Sequence, residues 1–231
     1  MGLLTLRRRY DPALRLDVFE VKLGDEFLMS SAWTVAERRL ADAGLAAVPS
    51  GVDTAQTGLR VVVGGLGLGY TAVTALLDDA VTELVVVDAL RAVIDWHRAG
   101  LLPEAATLVE DPRCSLVEGD FFAWARGDEE LEPLSAAEAA RPFDVILLDV
   151  DHSPRHLLDP SHADLYTVDG LAALRRRLAD DGVFALWSDD PPDEVFLDAA
   201  REVFTRVDAE VVTFPNPLTR GESTATVYVA T

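Results

Sequence analysis

Val61-Val62-Val63-Gly64-Gly65-Leu66-Gly67-Leu68-Gly69 decides how the rest of the chain is read. Three β-branched residues in a row suit a buried strand. The four glycines that follow let the backbone turn tightly into a helix opening near Tyr70, because a Cβ at such positions blocks positive φ and the close approach of a ligand. A second apolar strand over 83–87 ends on Asp88, about twenty residues past the glycines, where a carboxylate can accept hydrogen bonds from ribose hydroxyls. Together these features predict a nucleoside-binding βαβ unit.

Downstream of this unit, strands and helices alternate. Strands are expected at 59–63, 83–88, 114–118, 143–149 and 182–188, with helices at 70–79, 90–99, 120–126, 164–179 and 193–204. Strict alternation implies a mostly parallel, Rossmann-like α/β sheet covered by helices on both faces. Two final strands, 207–214 and 223–230, have no helix between them and are joined through Pro215-Asn216-Pro217 and Gly221, so they predict a C-terminal antiparallel hairpin at one edge. Upstream, residues 3–30 alternate apolar and polar side chains, with breaks at Asp11-Pro12 and Gly24-Asp25, which reads as a small N-terminal β-hairpin unit of two or three strands. Thr34-Val35-Ala36-Glu37 resembles a capping box opening a helix through about Ala43. The expected division is residues 1–50, hairpin unit plus helix, and 51–231, the nucleoside-binding domain. Pro49 to Gly58 reads as a linker and 127–141 as a solvated acidic loop.

The bulk properties narrow the function. At 231 residues with 49% apolar content the chain can bury a full core. No run approaches the roughly 18 apolar residues of a membrane span, and the Arg7-Arg8-Arg9 cluster follows the first leucines, the wrong order for a secretory signal. A cytoplasmic protein without a membrane partner is expected. A net charge of −20 repels phosphate backbones, so no nucleic-acid partner is expected, whereas a cationic small molecule would be attracted. Cys114 is the single cysteine and reads as an inert buried thiol.

In an open parallel sheet, ligands bind beyond the carboxyl ends of the strands. Successive strand ends here carry the glycine loop, Asp88, then Gly119-Asp120-Phe121, then Asp149-Val150-Asp151-His152-Ser153-Pro154, then Ser188-Asp189-Asp190-Pro191. Asp120 could accept the exocyclic amine of adenine with Phe121 beside the ring, or cap the following helix. Asp149 ends the run Val145-Ile146-Leu147-Leu148, and an acid at the tip of a buried strand is costly unless a partner or ligand satisfies it. The loop has tyrosine where a dinucleotide fingerprint wants its last glycine, and no lysine for a triphosphate. His152, His156 and His162 match no metal-ligand spacing, so no metal is expected; His152 beside Asp149 has the titration range of a general base. Trp187 reads as core.

The glycine loop, Asp88, Asp111-Pro112-Arg113, Glu118-Gly119-Asp120 and Phe143-Asp144-Val145-Ile146-Leu147-Leu148-Asp149 together resemble the spermidine synthase (polyamine aminopropyltransferase) family, which shares the fold of class I S-adenosylmethionine-dependent methyltransferases. The resemblance implies transfer of an aminopropyl group from decarboxylated S-adenosylmethionine to a polyamine-type amine, with methylthioadenosine released. It implies a donor site made by Gly64, Gly65, Gly67, Gly69, Asp88, Asp120 and Phe121. It implies catalysis by Asp149, with Asp151 or His152 in place of the family's second strand-four acid, and it makes a homodimer plausible. Where the family's glycine loop carries an aspartate, this chain has Gly67. Methylation from S-adenosylmethionine itself and an adenosyl-binding homologue without catalysis are the alternatives.

Overall fold

Every residue of the strand that carries the valine run is buried, and the strands on both sides of it run parallel to it. The computed structural model describes residues 3–24, 26–50, 58–131, 141–216 and 221–231. Most of the 49–58 linker, the break at Asp25, much of the 127–141 loop and the Pro217 end of the final connection lie outside the described residues.

The chain opens with an antiparallel sheet of three strands, β1 (Leu4–Asp11), β2 (Leu16–Leu23) and β3 (Glu26–Ser30). Asp11 closes the first turn by accepting the N–H groups of Ala13 and Leu14. Helix α1 (Val35–Ala46) follows. The expected capping box does not form: Thr34 makes no side-chain cap bond, and Glu37 lines the cleft described below.

The large sheet contains β4 (Leu59–Gly64), β5 (Val81–Asp88), β6 (Cys114–Glu118), β7 (Phe143–Leu148), β8 (Leu178–Ser188), β9 (Val207–Asn216) and β10 (Gly221–Ala230), in the spatial order β6-β5-β4-β7-β8-β10-β9. The first five are mutually parallel. The second strand of the closing hairpin, β10, inserts antiparallel beside β8, and β9 forms the edge. Strand order reverses between β4 and β7, which opens a crevice above their carboxyl ends. Helices α2 (Tyr70–Leu76), α3 (Arg91–Arg98), α4 (Ala105–Glu110), α5 (Phe121–Arg126), α6 (Val168–Arg175) and α7 (Glu194–Arg201) cover the two faces.

The period of two along each strand sorts the core. Val62, Ile146, Leu148, Phe184 and Leu186 meet α5, α6 and α7 on one face. Val61, Val63, Val145, Leu147 and Ala185 meet α1, α2 and α3 on the other. Each such fully buried Val, Leu, Ile or Phe side chain contributes roughly 1.5–3 kcal/mol, so a one-residue register slip that exchanged the faces is strongly opposed. The segment expected as one helix over 164–179 is divided. A 3₁₀ segment (Pro160–Tyr166) gives way to α6 at Thr167, whose hydroxyl accepts the Gly170 N–H, and β8 already begins at Leu178.

Two further contacts position the crevice. The small sheet reaches it through Val21 and Met29, which cluster with Leu68 of the glycine loop and with Leu102 and Ala105. Helix α1 lies against β7, β8 and β10, bringing its N-terminal turn to the carboxyl end of the sheet. Cys114 is half-buried, and burial pushes its thiol up to about 12, so it stays protonated and unreactive.

Candidate active site

The glycine loop leaves β4 through two contacts that exclude side chains. A Cβ on Gly64 would stand 2.6 Å from the Phe121 ring, and one on Gly65, at φ +94, would stand 2.1 Å from the Asp149 carbonyl oxygen. The loop is then held by Asp88 at the end of β5. One carboxylate oxygen accepts the Leu66 N–H at 2.9 Å and the other the Leu90 N–H at 2.7 Å, with Gly67 donating as well. Burial raises the Asp88 carboxyl in spite of these donors. Asp120 takes the capping role: its Oδ1 accepts the N–H groups of Phe122 at 2.8 Å and Ala123 at 3.0 Å, and both bonds end on that one oxygen.

The loop spends its donors inward. Gly65 N–H goes to Val87, Leu66 and Gly67 N–H to Asp88, and Gly69 N–H to Leu66. Phosphate-binding loops do the opposite and aim free N–H groups at the ligand. This loop therefore suits a nucleoside held by carboxylates rather than a nucleotide phosphate.

Beyond the loop lies a cleft of about 290 Å³ between β3, the start of α1, the glycine loop and the ends of β7, β8, β9 and β10. Three acids line it. Asp149 stands at the tip of β7, where its Oδ2 accepts the Thr71 hydroxyl at 2.7 Å. Glu37 enters from the first turn of α1, and Asp189 from the end of β8. His152 completes the rim, its backbone carbonyl accepting the Asp189 N–H at 2.7 Å. Desolvation, first, and the Asp149 charge, second, push Glu37 up to about 8. Desolvation pushes Asp149 up to about 6, against the opposing pull of the Thr71 hydrogen bond. Two carboxyl groups facing one cleft cannot both ionise cheaply, so near neutrality the pair holds about one proton and one negative charge. A cation entering the cleft would relieve the repulsion.

Two sequence expectations are corrected. Asp151 does not share the cleft with Asp149. The backbone turns after Val150, and Asp151 becomes buried on the opposite side, accepting the Leu158 N–H, the Tyr166 hydroxyl and His162 Nδ1, each at 2.8 Å. These three bonds tie the loop after β7 to the 3₁₀ segment. Phe121 is 3% exposed and packs on Gly64, Phe122 and Trp124, so its ring has no open face for a purine. The histidines separate: His156 pairs with Asp190 at 2.8 Å, His162 stacks on Phe122 with ring centres 3.7 Å apart, and His152 alone reaches the cleft. Among the described residues no group of three or more His, Cys, Asp or Glu side chains is arranged to hold a metal.

The sequence reading missed three contributors. Glu37 was legible only as a helix-capping residue, because nothing local says that α1 abuts the crevice. His97, on α3, lies beneath the loop and places Nε2 3.0 Å from the Gly67 carbonyl; burial lowers its pKa, which fits a neutral ring donating from Nε2. Trp187, expected as core, packs against the core and also lines the cleft, as does Trp33 of the segment before α1. The indole nitrogens of both tryptophans are buried and, among the described residues, have no hydrogen-bond partner, so what these rings offer the cleft is hydrocarbon.

Comparison with known proteins agrees with this architecture. Residues 46–219 match the spermine/spermidine synthase domain, and the chain belongs to that family. It is 34% identical over 127 residues to a polyamine aminopropyltransferase of Pyrobaculum calidifontis, covering 53% of this chain and 39% of that protein. It is 30% identical over 163 residues to polyamine aminopropyltransferase 2 of Pseudomonas aeruginosa, covering 68% of this chain and 42% of that one. The chain thus spans about two fifths of the length of these relatives. The spermidine synthase of Thermotoga maritima superposes over 100% of this chain and 70% of its own with a TM-score of 0.70 at 20% identity, a likeness of fold.

Proposed function

We propose that this chain transfers an aminopropyl group from decarboxylated S-adenosylmethionine to an amine, releasing methylthioadenosine. The observation that carries the reading is the Glu37–Asp149 pair: two carboxyl groups in one cleft, both raised by burial and Glu37 further by the Asp149 charge, beside a glycine loop that turns the N–H groups of Gly65, Leu66, Gly67 and Gly69 inward. The relatives named as polyamine aminopropyltransferases support the reaction class.

In this reading the donor's ribose lies against Asp88, whose oxygens retain lone pairs beyond the loop bonds, and its adenine amine meets the Asp120 oxygen not used in capping. The sulfonium then lies towards the cleft acids, which stabilise its charge. The acceptor arrives as an ammonium drawn by the same acids. It must lose a proton before it can attack, and Asp149, pushed up to about 6, is a better base than an ordinary carboxylate. The amine lone pair forms a C–N bond to the carbon beside sulfur, the C–S bond breaks, and its electron pair remains on sulfur as the neutral thioether. Thr71 holds Asp149 in one orientation throughout.

The test is amine-dependent release of methylthioadenosine from decarboxylated S-adenosylmethionine by the purified protein. A methylated product from full S-adenosylmethionine, with no turnover of the decarboxylated donor, would overturn it in favour of methylation. One observation favours that second reading: Gly67 leaves no carboxylate in the loop to grip a donor amine or to repel a donor carboxylate.

A further inference from the structure

The cleft is chemically lopsided. Its acids stand together at one end. Thr71 links two of them, its hydroxyl 2.7 Å from Asp149 Oδ2 and 3.3 Å from the Glu37 carbonyl oxygen. Asp189 is tied by its N–H to the His152 carbonyl in the loop that follows Asp149. Among the described residues, the remainder of the wall carries no carboxylate and no Lys or Arg. It includes Trp33, Trp187, Phe27 of β3 and Phe214 of β9, together with Asn216 and Ser223, which are joined by a 2.8 Å hydrogen bond.

Strand register gives the direction. Thr226 pairs with Ser188, next to Asp189, while Ser223 pairs with Phe214 three residues further along β10. At about 3.4 Å per residue this rung lies roughly 10 Å beyond the acid end. A molecule whose ammonium sits among Glu37, Asp149 and Asp189 therefore lays its body along indole and phenyl surface and meets a neutral amide–hydroxyl pair at its far end.

We propose that the acceptor is an amine with a single ammonium and an uncharged, largely apolar body, in preference to the α,ω-diamines that the family resemblance implies. The proposal rests on aminopropyl transfer being the reaction. Its physical basis is desolvation. A second ammonium carried along the tryptophan wall would lose water without gaining a carboxylate, which is strongly unfavourable. Attraction to an indole face is modest and does not replace an anion. An alkyl or aryl body, by contrast, gains from burial against the same rings in proportion to its area.

The deciding measurement is kcat/KM for methylthioadenosine release with n-butylamine, 2-phenylethylamine and putrescine under the same decarboxylated donor. The monoamines are expected to exceed putrescine at least tenfold, and 2-phenylethylamine to exceed n-butylamine. Ser223→Asp, which places an acid at the far end, is expected to raise kcat/KM for putrescine at least tenfold. Putrescine matching or exceeding both monoamines in the unaltered protein overturns the proposal, whether or not the variant folds. If no amine supports turnover, it is the reaction that fails. Calorimetric competition between n-butylamine and putrescine in the presence of methylthioadenosine then decides the acceptor class, with tighter monoamine binding supporting the proposal and tighter putrescine binding overturning it.

Discussion

The two sides of the crevice, proposed for donor and acceptor, use their acids in opposite ways. Asp88 and Asp120 are engaged by backbone N–H groups, two or three each, and so hold the glycine loop and the start of α5 in place. Across the loop, Asp149 has the Thr71 hydroxyl and Glu37 its own backbone N–H, and both face the cleft. The same chemical group is thus scaffold on one side and unsatisfied charge on the other. The difference lies in what each carboxylate is left free to do: burial raises Asp88, Glu37 and Asp149 alike, but backbone donors occupy Asp88, whereas Glu37 and Asp149 face the cleft.

The comparison is easiest to break at Asp149. Asp149→Asn keeps the Thr71 hydrogen bond and removes the base, so amine-dependent turnover should fall at least about a hundredfold while calorimetric affinity for methylthioadenosine changes little. Retained turnover would remove this residue from the mechanism. On the donor side, Asp88→Ala frees the Leu66 and Leu90 N–H groups and should weaken methylthioadenosine binding at least about tenfold. It should also lower stability by about 1–3 kcal/mol, read by calorimetry and thermal melting. An unchanged affinity would mean that the loop does not need its anchor.

Asp151→Asn sharpens the contrast within one motif. The new amide would face the donors Tyr166 and Leu158, costing about 2 kcal/mol and lowering the melting temperature by about 4–8 °C. The folded fraction should keep kcat within about threefold, and a hundredfold loss comparable to that of Asp149→Asn would contradict the placement of Asp151 away from the cleft.

The smallest effect tests the acid pair by pH. A carboxyl raised on folding stabilises the protein fully below its unfolded value and loses that contribution as pH rises through its folded value. For Glu37 the window runs from 4.5 to about 8, and for Asp149 from 3.8 to about 6. Stability should therefore decline across these ranges. Glu37→Gln should flatten the decline and raise the melting temperature at pH 8.5 by about 2–4 °C. Identical pH–melting curves for the two proteins would show that Glu37 is not desolvated.

Much of this architecture was legible along the chain. The valine run, the glycines and the alternation of strand and helix patterns anticipate the parallel sheet and its closing hairpin, because period and glycine content are local properties that burial then enforces. Boundaries failed where a side chain capped its own backbone, as at Thr167, and the apparent capping box at Thr34 failed where tertiary packing claimed Glu37. Of the strand-end residues read as one site, Asp149 and His152 reach the cleft, Asp88 braces the glycine loop, Asp120 caps α5, and Asp151 and Phe121 belong to the interior.

By itself, then, the sequence determined which segments become strands, where the backbone must turn without a side chain, and which strand tips carry carboxylates. Only the tertiary structure decided which way each carboxylate faces. Asp149 and Asp151 are two residues apart, and a turn of the backbone after Val150 sends them to opposite sides of the sheet. Glu37 joins Asp149 only because α1 packs across β7 and β8. Periodicity is written in neighbouring residues, whereas the partners of a buried charge come from segments distant in the chain, so its chemistry is settled when those segments meet.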